Sequence, residues 1–439
     1  MTGKPWVWIV LACLTFLPTA WAEDACIGAD EVPGAICSGD PPTPNPEESA
    51  VPNVPLEVSP FLFPYYLMKG VTYPISRFGL LLDHNKYAGR TVQLASNHKQ
   101  TRTFYPILTV GSGSKFGGGL GVTLLDLWNS SYDFFGRAIL FTDLDQRAEL
   151  AMTNPEAFRA FDRAFSFGVF STWYREFDED FYGIGPNTPQ SAKTEFGLYR
   201  FRAGTQFGFE MVRNLVFSAR FVFDLSDGNS GRASSPDKIQ EQFPPSELAG
   251  FGRKLDYVDM GFQLAHDTRD PYYDPARGGR YALTFHRFQL AGQGGFSFYQ
   301  YDIDLEHYFT LGHPRLVLWL HNAWMFQDTT GNDQIPFYRL AKLDVHSPMR
   351  GYDAGRFRDR GSVVFNVELR YPIWQNVDGT IFFDSGRVFD GIKNFSFNDF
   401  RFGGGGGIRL TVRRFYRFEV EAATAGEGLN VIFRAVQNL

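Results

Sequence analysis

From about Thr103 onward the sequence keeps returning to one pattern, in which apolar and polar side chains alternate with a period of two. In "FSFYQYDIDLEHYF", Tyr299, Tyr301, Ile303, Leu305 and Phe309 fall on one face, and Gln300, Asp302, Asp304 and Glu306 on the other. "NLVFSARFVFDL" sets Leu215, Phe217, Ala219, Phe221 and Phe223 against Asn214, Ser218, Arg220 and Asp224. "DYVDMGFQLAHDTR" sets Val258, Met260, Phe262 and Leu264 against Asp259, Gln263 and Asp267. A helix would mix these sets, whereas a strand sends alternate side chains to opposite faces of a sheet. The chain is therefore expected to be all-β, with each strand greasy on one side and wet on the other.

A wet face can look onto bulk water, as in a secreted β-sandwich, or onto the interior of a barrel. The greasy face discriminates between them. Aromatic residues make up 17% of the chain, and Phe and Gly occur 45 times each, which suits a lipid-facing band edged by aromatic girdles. A mean hydropathy of -0.22 and 21% charged residues resemble a soluble protein, but a membrane barrel hides half of each strand's polarity in its lumen. The N-terminus, "MTGKPWVWIVLACLTFLPTAWAED", reads as a signal peptide over residues 1–22, with Lys4, an apolar core from Trp6 to Leu17 and the small-x-small site Ala20-Trp21-Ala22. That core is too short to cross a bilayer as a helix. Export and the alternating strands together predict a transmembrane β-barrel of the outer-membrane type, with the sandwich as the competing reading.

Candidate strands start near residues 104, 117, 133, 145, 165, 193, 213, 255, 279, 296, 314, 361, 379, 401, 415 and 430. Sixteen is an even number, so an antiparallel barrel over 104–439 closes with both chain ends on the periplasmic side. Short connections such as "LGHP" and "PIWQNVDG" fall on one side, and the long "DLSDGNSGRASSPDKIQEQFPPSELAG" and 328–360 fall on the other. Upstream, residues 23–55 are rich in Pro, acidic and small residues and read as a disordered tether. Residues 56–103 mix helical and extended features and read as a segment, part helical, at the periplasmic end of the barrel. Cys26 and Cys37 lie in one short exported stretch, where a disulfide and two free thiols are both open. The formal charge of -6 argues against nucleic acid as a partner and otherwise says little; the barrel reading itself implies outer-membrane lipid and lipopolysaccharide as partners.

The loop at 328–360 is longer than connections usually are without a function of their own. It carries Met349-Arg350-Gly351-Tyr352. Beyond it, "GSVVFNVELRYPIW" contains Glu368 in a Glu-x-x-x-Pro pattern, "TIFFDSGRVFD" contains Phe382, Asp384 and Gly386 on one face, and "RFGGGGGIRL" contains Gly407. With these motifs in this order, and with "FYGIGPNT" and "DTRDPYYDPARGGRY" upstream, the chain resembles the BamA/TamA outer-membrane assembly superfamily, also called the bacterial surface antigen family, from about residue 100 to the end. The resemblance implies that the loop folds back into the lumen, with Arg350 held by Glu368 and Asp384. It also implies that Gly407 is the small residue on the next strand, and that the function is to aid insertion or translocation of proteins or lipids, with outer-membrane proteins as clients. The stretch before the barrel is too short and proline-rich for a POTRA domain, so a POTRA-less member is expected.

The residues support the clasp on their own chemistry. A guanidinium is a planar fork of donors that suits carboxylates and stays charged. Val363, Phe365, Val367 and Leu369 are expected to face lipid, which turns Glu368 inward. Gly351 is expected to make a tight reversal and Tyr352 to pack on the wall. Two alternatives remain: an exposed basic loop with Arg350, Arg356, Arg358 and Arg360 that touches lipopolysaccharide phosphates, and a passive channel or structural surface barrel without assembly activity. "GSGSKFGGGLG" lacks the Gly-Lys-Ser/Thr ending of a phosphate loop, and the eight histidines have no metal-ligand spacing. No serine motif accompanies His266, His286 or His321. Neither cofactor, metal site nor enzyme activity is expected.

Overall fold

The computed structural model describes residues 69, 72–77, 101–110, 115–161, 163–232, 239–270, 274–344, 349–412 and 416–437, the side chains of 108–110, 412, 416 and 435–437 excepted. The expected signal peptide, the tether and Cys26 and Cys37 lie outside the described residues. So does the stretch in which a POTRA domain would be sought, apart from residue 69 and 72–77.

Strands account for most of the described chain. The first eight are β1 (Arg102–Val110), β2 (Phe116–Leu127), β3 (Tyr132–Phe141), β4 (Gln146–Ala160), β5 (Arg163–Phe181), β6 (Thr194–Val212), β7 (Leu215–Asn229) and β8 (Lys254–Asp267). Then come β9 (Gly278–Leu290), β10 (Phe298–Thr310), β11 (Val317–Thr329), the short β12 (Ala341–Lys342) and β13 (Arg358–Asp359), β14 (Gly361–Trp374), β15 (Val377–Phe389), β16 (Arg401–Val412), β17 (Tyr416–Thr424) and β18 (Leu429–Gln437). All but β12 and β13 form one sheet of 16 strands in sequence order, each antiparallel to its neighbours. The sheet curls into a barrel, bringing β1 and β18 against each other. Every expected strand start lies within three residues of an observed one, the largest difference being 314 against Val317.

The two faces follow the alternation. Tyr301, Leu305 and Phe309 on β10 and Phe221 and Phe223 on β7 are exposed on the outer wall, while Gln300, Asp302, Asp224 and Asp259 are buried on the inner one. Backbone groups are satisfied from strand to strand, as crossing hydrocarbon requires. The connections differ at the two ends. Residues 128–131, 213–214, 311–316 and 375–376 make the short-turn end; 182–193, 230–253, 330–360 and 390–400 make the long-loop end. In outer-membrane barrels these are the periplasmic and external ends respectively.

A helix at 72–77, α1, sits at the short-turn end. The indole of Trp374, last residue of β14, donates to Lys69 O and Thr72 Oγ1 at 3.0 and 3.1 Å. Ser76 and Asn376 exchange two hydrogen bonds, of 2.7 and 3.0 Å. At the long-loop end a one-turn helix, α2 (Ile239–Gln242), buries Ile239. It joins a core made of Phe181, Phe196, Tyr257, Phe288, Phe298 and Phe337, so the largest apolar cluster among the described residues lies inside the barrel mouth.

One outward position departs from expectation. Val363 is fully covered where lipid contact was expected. It lies in register with Trp324 on one side and Arg387 on the other, and the 390–400 loop lies over this row. Arg387 donates to Ser396 O and Asn398 O at 2.7 and 2.6 Å, and the Phe395 ring stands 5.1 Å from that of Trp324.

Candidate functional site

The 330–360 loop turns into the lumen and is pinned to two opposite stretches of wall. The first anchor is apolar. Pro336 opens a short 3-10 turn that places Phe337 edge-on to Phe196 and Phe181, with ring centroids 4.8 and 5.3 Å away. Burying such a ring contributes roughly 1.5–3 kcal/mol. Two residues on, Arg339 extends to Asp224 on β7 at 2.5 Å and to Ser226 at 3.0 Å. The chain then passes along β12, reaches the second anchor on β14–β17, and returns through β13, which pairs with β12.

That anchor is Arg350, 3% exposed. Its Nε and Nη2 donate to Asp384 Oδ2 and Oδ1 at 2.9 and 2.8 Å, and its backbone N–H donates to Asp384 Oδ2 at 3.1 Å. Nη1 donates to Glu368 Oε2 at 2.6 Å and to Glu421 Oε1 at 3.1 Å. The guanidinium carbon lies 3.4 Å from the ring centroid of Phe382, a stacked cation–π contact. Burial opposes the guanidinium's charge, but the Asp384 hydrogen bond and charge, with Glu421 and Glu368, outweigh it and raise its pKa above the ordinary value. One cation faces three acids here, and two further groups offset the surplus: Asn366 Nδ2 donates to Asp384 Oδ1 at 2.7 Å, and the Arg434 guanidinium stands 3.0 Å from Glu421 Oε2 as an ion pair.

The structure thus brings together Arg350, Glu368, Phe382 and Asp384. Parity explains why: Glu368, Phe382, Asp384 and Glu421 are all inward positions of strands whose outward positions are apolar, such as Val367, Phe383 and Val420. Gly351 differs from expectation. It does not take a left-handed conformation; what it provides is clearance, since a Cβ there would stand 2.5 Å from Ala425 Cβ and 2.6 Å from the carbonyl carbon of Thr424. Gly386 provides clearance for the loop as well, because a Cβ would approach Leu343 Cδ1 to 2.8 Å. On β16 three inward glycines face this region: a Cβ at Gly403 would come 3.5 Å from Gly351 N, one at Gly405 would come 2.8 Å from the Phe382 ring, and one at Gly407 would come 2.8 Å from Glu421 Cγ, behind an acid that holds Arg350. Tyr352 packs edge-on to Phe357, centroids 5.3 Å apart, in a cluster with Met349, Leu343 and the wall residues Val364 and Val388.

Arg356 and Arg358 belong to the plug as well. Arg356 grips Glu427, in the β17–β18 connection, through Nε and Nη2 at 2.8 Å each. Arg358 is fully buried and donates to Asp180 O at 2.7 Å, with Glu179 at 3.3 Å. The exposed basic loop is therefore excluded for Arg350, Arg356 and Arg358; Arg360, at 36%, stays at the rim beside Asp328 and Asp390. Sequence reasoning missed Glu421, Glu427 and the Phe337 anchor. The signal for Glu421 was its inward parity in "RFEVEAAT", but Glu419 shares that parity, so the strand alone could not single it out.

Among the described residues one set of acids has cation-binding proximity, Asp143, Asp145 and Asp178. The Lys115 ammonium occupies its centre, 2.6, 2.7 and 2.5 Å from the three.

The chain is similar to solved structures. BamA from Haemophilus ducreyi lacking POTRA domains 1–3 superposes with a TM-score of 0.58 at 15% identity, over 76% of this chain and 69% of that one. At that identity the likeness concerns the fold. CdiB from Acinetobacter baumannii gives 0.49 at 12% identity, over 76% of this chain and 59% of that one. CdiB from Escherichia coli gives 0.46 at 10%, over 76% and 62%. Comparison with curated proteins gives no match. The family model described as the Omp85 superfamily domain matches residues 109–424, a span that contains the lumenal loop and every wall residue that holds Arg350. The chain belongs to the Omp85 superfamily.

Proposed function

We propose that this outer-membrane barrel aids insertion or translocation of proteins or lipids at the outer membrane, and that its 330–360 loop is a latched plug. Family membership supports an insertion or translocation role. The observation that carries the latch is the burial of Arg350 on Asp384, Glu368 and Glu421, carried by β15, β14 and β17. A buried cation is stable only while its acids surround it, so the loop has one defined closed position and a discrete cost of leaving it. Clients meet the barrel where β1 and β18, the two ends of the strand order, come together. Opening of this seam would let a client strand or a lipid pass between lumen and bilayer.

The test is deletion of the protein combined with crosslinking at the seam. An altered outer-membrane protein profile, and clients captured by photo-crosslinkers at Phe104 on β1 and Phe433 on β18, both exposed on the outer wall, are expected. An unchanged profile with no client captured at either position contradicts the proposal and leaves a passive channel or surface barrel.

A further inference from the structure

A second charged cluster lies beside the Arg350 site, toward the short-turn end of the same stretch of wall, and Arg434 touches both, at 3.5 Å from Glu419 and 3.0 Å from Glu421. The β8–β9 connection, residues 268–277, is the longest at the short-turn end. Its Asp274 reaches guanidiniums on three strands. Asp274 Oδ1 stands 3.0 Å from Arg370 Nη1 on β14, 2.9 Å from Arg409 Nη1 on β16 and 3.5 Å from Arg417 Nη1 on β17. Arg409 and Arg417 also hold Glu419 through their Nε atoms, at 2.8 and 3.0 Å. Arg370 contacts Asp274 and, at 3.4 Å, Pro275 O; its buried Nε has no hydrogen-bond partner among the described residues.

All three cations converge on one oxygen. A carboxylate has about four acceptor sites in one plane, too few for three guanidinium forks two bonds at a time, whereas a tetrahedral oxyanion offers oxygens in three dimensions. The cluster is reachable, since the Asp274 side chain keeps 34% of its surface exposed while Arg370 and Arg409 keep 9% and 7%.

We propose that Arg370, Arg409 and Arg417 form a phosphate-type oxyanion site in the short-turn mouth of the lumen, and that Asp274 is its built-in occupant, displaced when a phosphate group arrives. Inorganic phosphate and a phosphomonoester lipid headgroup share the required chemistry.

The experiment uses the full chain refolded in neutral detergent, with heat-modifiable migration as the folding check. Thermal unfolding is followed against inorganic phosphate, with chloride at equal ionic strength as control, and separately against micelles doped with phosphatidic acid or phosphatidylcholine. Asp274→Asn removes the resident competitor and should lower the half-saturating phosphate concentration about tenfold, since a tethered group competes at a high effective concentration. Arg370→Gln should abolish the response, in the wild-type background as well as beside Asp274→Asn, so the site stays testable should Asp274→Asn misfold. A response to inorganic phosphate supports the site with the free anion as ligand, and a response to phosphatidic acid alone supports it with a lipid headgroup. No response to either, a response equal in wild type and Asp274→Asn, or one that survives Arg370→Gln overturns the proposal.

Discussion

Arg350 and Asp384 meet as a two-pronged fork on a carboxylate, Nε to Oδ2 at 2.9 Å and Nη2 to Oδ1 at 2.8 Å, while the arginine's own amide donates to the same Oδ2 at 3.1 Å. One wall side chain therefore fixes both the side chain and the backbone of the loop tip. Asp384 is fully buried, so neither charge can exchange its partner for water without the loop moving.

Truncating either member should be costly. Arg350→Ala or Asp384→Ala is expected to lower stability by about 3–5 kcal/mol, because each strands a buried charge. The double variant should lose less than the sum of the two. Arg350→Lys keeps the charge and loses the fork, so it should fall between wild type and Ala. Denaturant unfolding followed by heat-modifiable migration measures all four.

Clearance at the wall gives a steric prediction independent of charge. A side chain at Gly386 would run into Leu343 and the carbonyl oxygen of Val363, 2.8 Å from each. Gly386→Val should therefore lift the loop while leaving the strands paired. Proteolysis of intact cells should cut within 330–360 in this variant and not in wild type, whereas Gly292→Ala, at a loop glycine with open space around it, should not expose the loop.

Asp359, on β13, gives a pH dependence. Burial, with Asp390 nearby, raises its pKa to about 6 from an ordinary 3.8, against the hydrogen bond from the Arg360 amide. The folded loop thus favours the protonated acid: the stabilisation is present in full below about pH 4 and is lost as pH rises through about 6. A shift of that size corresponds to up to ~3 kcal/mol. Thermal unfolding of wild type minus Asp359→Asn between pH 4 and 8 should show wild type losing stability relative to the variant as pH rises. A flat difference would mean that Asp359 is ionised at no cost in the folded loop.

How much of this could be read from the residues alone depends on how local the signal is. Strand positions were legible because every wall strand must separate lipid from lumen, and a period of two writes that requirement into each segment. Arg350, Glu368, Phe382 and Asp384 were legible because parity turns the wall residues inward and the loop motif resembles that of a known family. The Phe337 anchor was not, since a buried aromatic in a long loop looks the same as an exposed one until its partners, Phe181 and Phe196, are known. Val363 was misread for a related reason: its cover comes from the 390–400 loop, a tertiary contact that alternation along β14 does not encode. Nothing in the sequence links Arg356 to its acid, because Glu427 is remote, in the connection before the last strand.

Single-channel conductance in planar bilayers tests the latched plug most directly. The intact protein should show low conductance that rises on Arg350→Ala, as the loop leaves Asp384, Glu368 and Glu421 and the lumen clears. A large, steady conductance in the wild-type protein, unchanged by Arg350→Ala, would contradict it.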